Sequence, residues 1–217
     1  MGNIAYKISE PIRSSVADSI FLDVLADVSE HLGHADIDYG IFGGVASSAL
    51  GRPRTTRDID LFLRPEAAEA ALYLLSKRGY ETDRLDEKWI YKAKKHDVVV
   101  DVIFSTRYGI YWDDEMSSHS CNTTFEGVPI RTIGAEDLLV IKAVACDEAS
   151  PKHWYDALGL IGQNEMDWNY LEKRSLRAQR RVLSLLFYAQ SIDYFIPGAV
   201  LHSMMRRIED GTGEWDD

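Results

Sequence analysis

The sequence predicts an α+β fold, with strands and helices interleaved over residues 1–133 and helices alone over residues 134–217. Three observations carry this reading. Short apolar or alternating runs are bounded by glycine, proline and charged turns before Ile133. Helical periodicity flanks them, and it is the only pattern left after Ile133. No repeat or low-complexity linker separates the two parts, so they are expected to pack closely.

From Ser14 to Leu32 the apolar residues Val16, Ile20, Phe21, Val24, Leu25, Val28 and Leu32 recur at three- and four-residue steps, which predicts an amphipathic helix. A short strand near Tyr39 to Phe42 is broken by Gly43 and Gly44. Val45 to Leu50 then reads as a short helix, "GRPR" as a turn and "RDIDLFL" as a strand. Pro65 suits the first position of a helix, and "EAAEAALYLLSKRGY" joins strong helix formers to a stop at Gly79. "KWIYKAKK" and "HDVVVDVIF" read as an antiparallel pair turning at Lys94 to Asp97. Beyond "GVPIRTI" the helical segments are "GAEDLLVIKAVACDE", "SPKHWYDALGLIG", "DWNYLEKRS", "RRVLSLLFYAQ" and "PGAVLHSMMRRIED", and the polar tail "GTGEWDD" is expected to fray.

Composition narrows the classes. With 217 residues and 46% hydrophobic content the chain has enough apolar material for one substantial core or two small packed lobes. No apolar run approaches the roughly 20 residues that span a bilayer, and no leader pattern opens the chain, so a cytoplasmic protein without a membrane partner is expected. Cys121 and Cys146 lie far apart with no ligand spacing, which predicts reduced thiols. The net charge of −11 argues against a broad nucleic-acid surface, although Lys173, Arg174, Arg177, Arg180 and Arg181 form a local basic cluster. That cluster reads either as a solvated helix face or as a polyanion contact.

The chemistry concentrates in "GGVASSALGRPRTTRDIDLFL", Gly43 to Leu63. Residues two apart in a strand share a face, so Asp58 and Asp60 project together while Ile59 and Leu61 face the other way. Two adjacent, partly desolvated carboxylates repel unless a cation joins them. Asp101 is a third carboxylate in an apolar strand. Asp97 competes with it but falls at the turn. The glycine pair lets backbone approach a phosphate, with the helix behind it aiming amides at the same point; Ser47 and Ser48 would add hydroxyls, and Arg52 and Arg54 guanidinium forks.

Gly43-Gly44, Arg54, Thr56, Asp58, Ile59, Asp60 and the later Asp101 together resemble the signature of the nucleotidyltransferase superfamily related to DNA polymerase beta. The resemblance implies a mixed-sheet catalytic core over residues 1–133, a helical domain over residues 134–217, and divalent Mg²⁺ or Mn²⁺ held by Asp58, Asp60 and Asp101. It also implies a nucleoside triphosphate substrate at the glycine turn, bound with Gly43, Gly44, Ser47, Arg54 and Thr56. Within the superfamily the chain looks most like the bacterial group that includes the AbiEii and MenT toxins. On that likeness Lys142 and Asp156 join the catalytic set. The relatives' serine after the glycine pair is Val45 here, and their Arg-Asp reads Lys152-His153. The implied reaction is in-line attack of an acceptor hydroxyl on the α-phosphate with loss of pyrophosphate. The acceptor is left open among RNA or a tRNA 3′ end, a protein hydroxyl, and a small hydroxylated compound such as a cationic antibiotic; the toxin likeness also brings an antitoxin as a candidate partner.

Other readings stand beside this one. Asp58 and Asp60 would be a solvated sheet end paired with Arg54 and Arg57, and Lys142 a surface lysine. His96 and His153 read as surface or capping histidines, and Trp154, Tyr155, Trp168, Tyr170, Phe187, Tyr188, Tyr194 and Phe195 as core. At the level of function, a catalytically silent nucleotide-binding regulator is the competing class. A glycosyltransferase with a paired-aspartate motif needs more parallel βαβ units than this chain supplies.

Overall fold

A computed structural model describes residues 16–211. The chain runs through α1 (Val16–His34), β1 (Tyr39–Ile41), α2 (Gly43–Leu50), β2 (Asp58–Leu63), α3 (Pro65–Lys77), β3 (Glu81–Asp86), β4 (Ile90–Lys95) and β5 (Val98–Ile103). It continues with α4 (Asp114–Ser118), β6 (Cys121–Phe125), β7 (Val128–Thr132), α5 (Ala135–Ala145), α6 (Lys152–Gln163), α7 (Trp168–Arg174), α8 (Gln179–Ser191) and α9 (Gly198–Glu209). The predicted helix start at Ser14 and the tail beyond Gly211 lie outside the described residues.

The strands form one mixed sheet in the order β3-β4-β5-β2-β1-β7-β6. β2 lies parallel to β5 and β1 parallel to β7; the other neighbours are antiparallel. The β4–β5 pair is the predicted hairpin, and its turn residues His96 and Asp97 both take positive φ, 50° and 65°, as a tight two-residue connection requires. β3, α4 and β6 were not expected from the sequence. β3, "ETDRLD", has no apolar alternation because it is an edge strand with five exposed residues and one partly exposed, and its charges keep that edge from pairing further.

Alternation sorts the sheet residues to two sides. Ile41, Ile59, Leu61, Leu63, Val98, Val100 and Val102 pack under α1 and α3. Phe42, Phe62, Ile90 and Ile103 face the opposite way and join Trp112, Met116, Leu138, Leu139, Ala157 and Leu160 in a second core reaching α8 and α9. That core spans both sides of Ile133, so sheet and C-terminal helices share buried apolar surface. Of the aromatics expected inside, Tyr170 is buried, and Trp154, Trp168 and Tyr194 pack partly buried against the second core; Tyr155, Phe187, Tyr188 and Phe195 are exposed. Both cysteines are free thiols, and no helix among the described residues is long and apolar enough to cross a membrane.

Candidate active site

Asp60 shares a face with Phe62, and Asp101 with Ile103, so both carboxylates rise on the side of the sheet that the C-terminal helices partly cover. The parallel register sets Asp60 directly beside Asp101, and Asp58 stands one position back on the same face. One carboxylate oxygen from each of Asp58, Asp60 and Asp101 falls within 4.8 Å of the others. Asp58 is exposed, while the other two are partly buried. Burial first, then the charges of Asp58 and Asp101, push the Asp60 carboxyl up to about 7; a hydrogen bond from the Gly44 amide and the charge of Lys142 act against that rise. Asp97 stays at the hairpin turn, exposed and paired with Lys94, away from this cluster.

The glycine pair has a local role in the packing of the turn. Gly43 has φ +60°, and a Cβ there would sit 1.8 Å from Asp60 Oδ2. At Gly44 a Cβ would meet Thr56 Oγ1 at 2.2 Å and Arg54 Nη2 at 3.0 Å. The absent side chains therefore admit the Asp60 carboxylate and the Arg54 guanidinium to the start of α2. The N-terminal end of that helix favours negative charge, which suits a carboxylate as well as a phosphate.

Other residues singled out from the sequence take definite positions. Thr56 Oγ1 donates to Asp58 Oδ1 at 2.9 Å and so orients that carboxylate. Ser47 is fully buried and donates to the Gly43 carbonyl at 2.5 Å, which turns its hydroxyl back into α2. Val45, in place of the expected serine, is also fully buried and packs in the first core. Arg52 is drawn away from the carboxylates: it donates to the Tyr194 hydroxyl and lies 4.7 Å over the Tyr155 ring.

Lys142 on α5 donates to Asp156 Oδ2 on α6 at 2.8 Å, with side chains 3% and 1% exposed. Arg54 Nε approaches the other oxygen, Asp156 Oδ1, at 3.1 Å without the alignment of a hydrogen bond. One carboxylate thus faces two cations, one from the loop behind the glycine turn and one from the C-terminal helices. His153 sits one turn before Asp156 with a buried Nδ1 that has no hydrogen-bond partner. Burial first, then the positive charges of Lys142, Lys152 and Arg54, push its imidazole down to about 4, against the opposing charge of Asp156.

Lys92, which the sequence reading missed, contacts one of the candidate carboxylates. Its Nζ donates to Asp101 Oδ1 at 2.5 Å. The signal was present: a two-residue turn at His96-Asp97 pairs Lys95 with Val98 and, counting back, Lys92 with Asp101.

The basic cluster is largely committed to internal contacts. Arg174 binds Asp137 and Asp113, each at 2.6 Å, and Lys173 binds Glu115 at 2.6 Å. Arg177 donates to the Gly109 carbonyl, and Arg181 donates to the Cys146 carbonyl at 2.9 Å. A groove of about 660 Å³ between α1 and the β6–β7 hairpin, lined in part by Ser29, Ile37, Tyr39, Thr123 and Ile130, contains none of the candidate residues.

The fold of this chain is shared with solved structures of other proteins. The solution structure of the antibiotic-resistance factor ANT(2'')-Ia is similar at a TM-score of 0.56 and 20% identity, over 80% of this chain and 99% of that one. A crystal structure of ANT(2'')-Ia in complex with adenylyl-2''-tobramycin is similar at a TM-score of 0.55 and 20% identity, over 74% of this chain and 98% of that one. MenT4, a nucleotidyltransferase toxin from Mycobacterium tuberculosis H37Rv, is similar at a TM-score of 0.46 and 14% identity, over 79% of this chain and 66% of that one. No curated protein sequence matches the chain. Residues 13–192, which hold the glycine turn, all three carboxylates, Lys142 and Asp156, match the family described as "Uncharacterised nucleotidyltransferase", and the chain belongs to that family.

Proposed function

We propose that this nucleotidyltransferase is metal-dependent and moves a nucleoside monophosphate from a nucleoside triphosphate to the hydroxyl of a small acceptor. The observation that carries the reading is the convergence of Asp58, Asp60 and Asp101 within 4.8 Å. Three carboxylates form a hard, all-oxygen donor set that suits Mg²⁺ or Mn²⁺, and a cation among them would relieve the repulsion that, after burial, raises the Asp60 pKa. A bound ion supplies charge stabilisation to the attacking and leaving oxygens.

The protein's own residues do the rest. Thr56 holds Asp58 in place, and the Gly44 amide holds Asp60. Lys92 neutralises part of the charge on Asp101, leaving its second oxygen to accept a hydrogen bond from an incoming hydroxyl. Lys142 and Arg54 place two positive charges beside the turn, where they would counter the triphosphate. Residues 1–133 thus supply the carboxylates, and residues 134–217 supply Lys142 and Asp156 as the facing wall.

A small acceptor is favoured over RNA by the cations already engaged in contacts within the chain. Lys173, Arg174, Arg177 and Arg181 are tied to Glu115, Asp137, Asp113 and two backbone carbonyls, in a chain of net charge −11. A phosphate-tracking groove needs such groups available.

The test is transfer of label from each α-labelled nucleoside triphosphate, with Mg²⁺ or Mn²⁺, to a panel of hydroxylated small molecules and to RNA. Wild type is expected to label a small acceptor, and the Asp58→Ala, Asp60→Ala double variant to label nothing. Equal inertness of the two proteins, with equally poor metal binding, would count against the enzyme reading. Labelling of RNA alone would overturn the acceptor assignment.

A further inference from the structure

Six buried side-chain polar atoms lack a hydrogen-bond partner among the described residues, and three of them, Arg54 Nε, Asp156 Oδ1 and His153 Nδ1, belong to one neighbourhood beside the glycine turn. The first two face each other at 3.1 Å. His153 Nδ1 has nothing, and an unsatisfied buried imidazole nitrogen is costly enough to call for a partner. The charges around it say what kind. Lys142, Lys152 and Arg54 act on the His153 ring as positive charges, opposed by Asp156, so an anionic partner suits this ring better than a cationic one.

His153 and Asp156 are three residues apart on α6 and share a face, and Asp156 holds both Lys142 and Arg54. Arg54 in turn lies over Gly44. An anion reaching His153 therefore borders the same turn that holds Asp60. We propose that His153 is a nucleotide-binding residue whose ring nitrogen hydrogen-bonds the β/γ end of the triphosphate, beside Lys142 and Arg54. This rests on the nucleotidyltransferase reading of the site. That reading places the α-phosphate at the carboxylates and leaves the outer phosphates to the cationic side. The low pKa of His153 is consistent with the role, since an uncharged ring donates one hydrogen bond without adding a third full charge to Lys142 and Arg54.

The test uses the full chain labelled with ¹⁵N-histidine, whose six histidines give few enough ring signals to assign by comparison with His153→Asn. Inorganic tripolyphosphate and an α,β-methylene nucleoside triphosphate are added separately with Mg²⁺, and binding is measured in parallel by calorimetry. Both ligands are expected to move the His153 ring nitrogens. His153→Ala is expected to bind the analogue about tenfold more weakly, the effect of one hydrogen bond to a charged group. His153→Asn, which keeps an N–H, is expected to recover part of that loss, while Mn²⁺ binding at the carboxylates stays unchanged in both variants. Binding of the analogue by wild type with no change at His153, or equal affinity in His153→Ala, would overturn this assignment and leave the enzyme reading standing. Failure of wild type to bind either ligand would overturn both. The shifts are read in wild type, and His153→Gln supplies a second assignment spectrum, so one poorly folded variant does not decide the outcome.

Discussion

Replacing Asp156 with alanine removes the carboxylate that Lys142 and Arg54 share. Lys142 is only 3% exposed and cannot turn to water without opening the contact between α5 and α6. Removing one partner of a buried pair costs about 3–5 kcal/mol because the remaining charge stays desolvated. For a chain of this size that lowers the melting temperature by roughly 6–20 °C. The pH dependence identifies the cause. Burial already holds the Lys142 pKa below the usual lysine range, and Asp156 is the principal group opposing that shift. Without Asp156 the folded-state pKa falls further, so the unfolded chain binds the extra proton and stability rises as pH climbs toward the unfolded lysine value. Urea unfolding followed by tryptophan fluorescence should therefore show a deficit that is large at pH 7 and smaller at pH 10. The double variant Lys142→Met, Asp156→Leu, which replaces the pair with apolar groups, should lose much less than Asp156→Ala alone. A deficit below about 1 kcal/mol, or one that does not change with pH, would show that the pair is not a desolvated ion pair and refute the reasoning.

Three further outcomes follow from particular contacts. Gly43→Ala should cost about 1–2 kcal/mol for its left-handed backbone and, because its Cβ overlaps Asp60, weaken Mn²⁺ binding at least tenfold by calorimetry. Gly79→Ala, at φ +80° with open space around it, should show the stability cost alone. In wild type without nucleotide, the His153 ring should show no titration above about pH 5 by NMR; a midpoint near the ordinary 6.5 would contradict its burial beside Lys142. Arg174→Ala strips the guanidinium from Asp137, which is 2% exposed, and should cost about 3 kcal/mol in urea unfolding while leaving metal binding intact.

The two carboxylates between Gly43 and Leu63 were legible in the sequence because their information is local: period-two alternation fixes which side Asp58 and Asp60 occupy, whereas the crowding of Gly43 and Gly44 by Asp60, Thr56 and Arg54 was not, the glycines reading as room for a phosphate. Asp101 was legible for the same reason, as a charge that breaks an apolar strand. β3 was not, since an exposed edge strand needs no apolar face, and α4 is a five-residue turn whose start is set by the Asp113 cap. The partnership of Arg54 with Asp156 was out of reach. It joins residues 102 positions apart through the packing of α2 on α6, and no spacing rule encodes that. The fate of the basic cluster was equally hidden, because only the fold brings Glu115, Asp137 and Asp113 to meet it.

The parallel pairing of β2 with β5 also decides where this chain tolerates extra length. Asp60 and Asp101 meet because both strands keep their phase, and inserting a single residue within either would turn a carboxylate to the opposite side of the sheet. The chain between them carries no such constraint at its outer turn, where Asp86 to Trp89 joins two strands near the sheet edge. A reporter peptide or an affinity tag spliced there would lengthen the loop and leave the phase of both carboxylate strands untouched, making that turn the place to label the enzyme without disarming it.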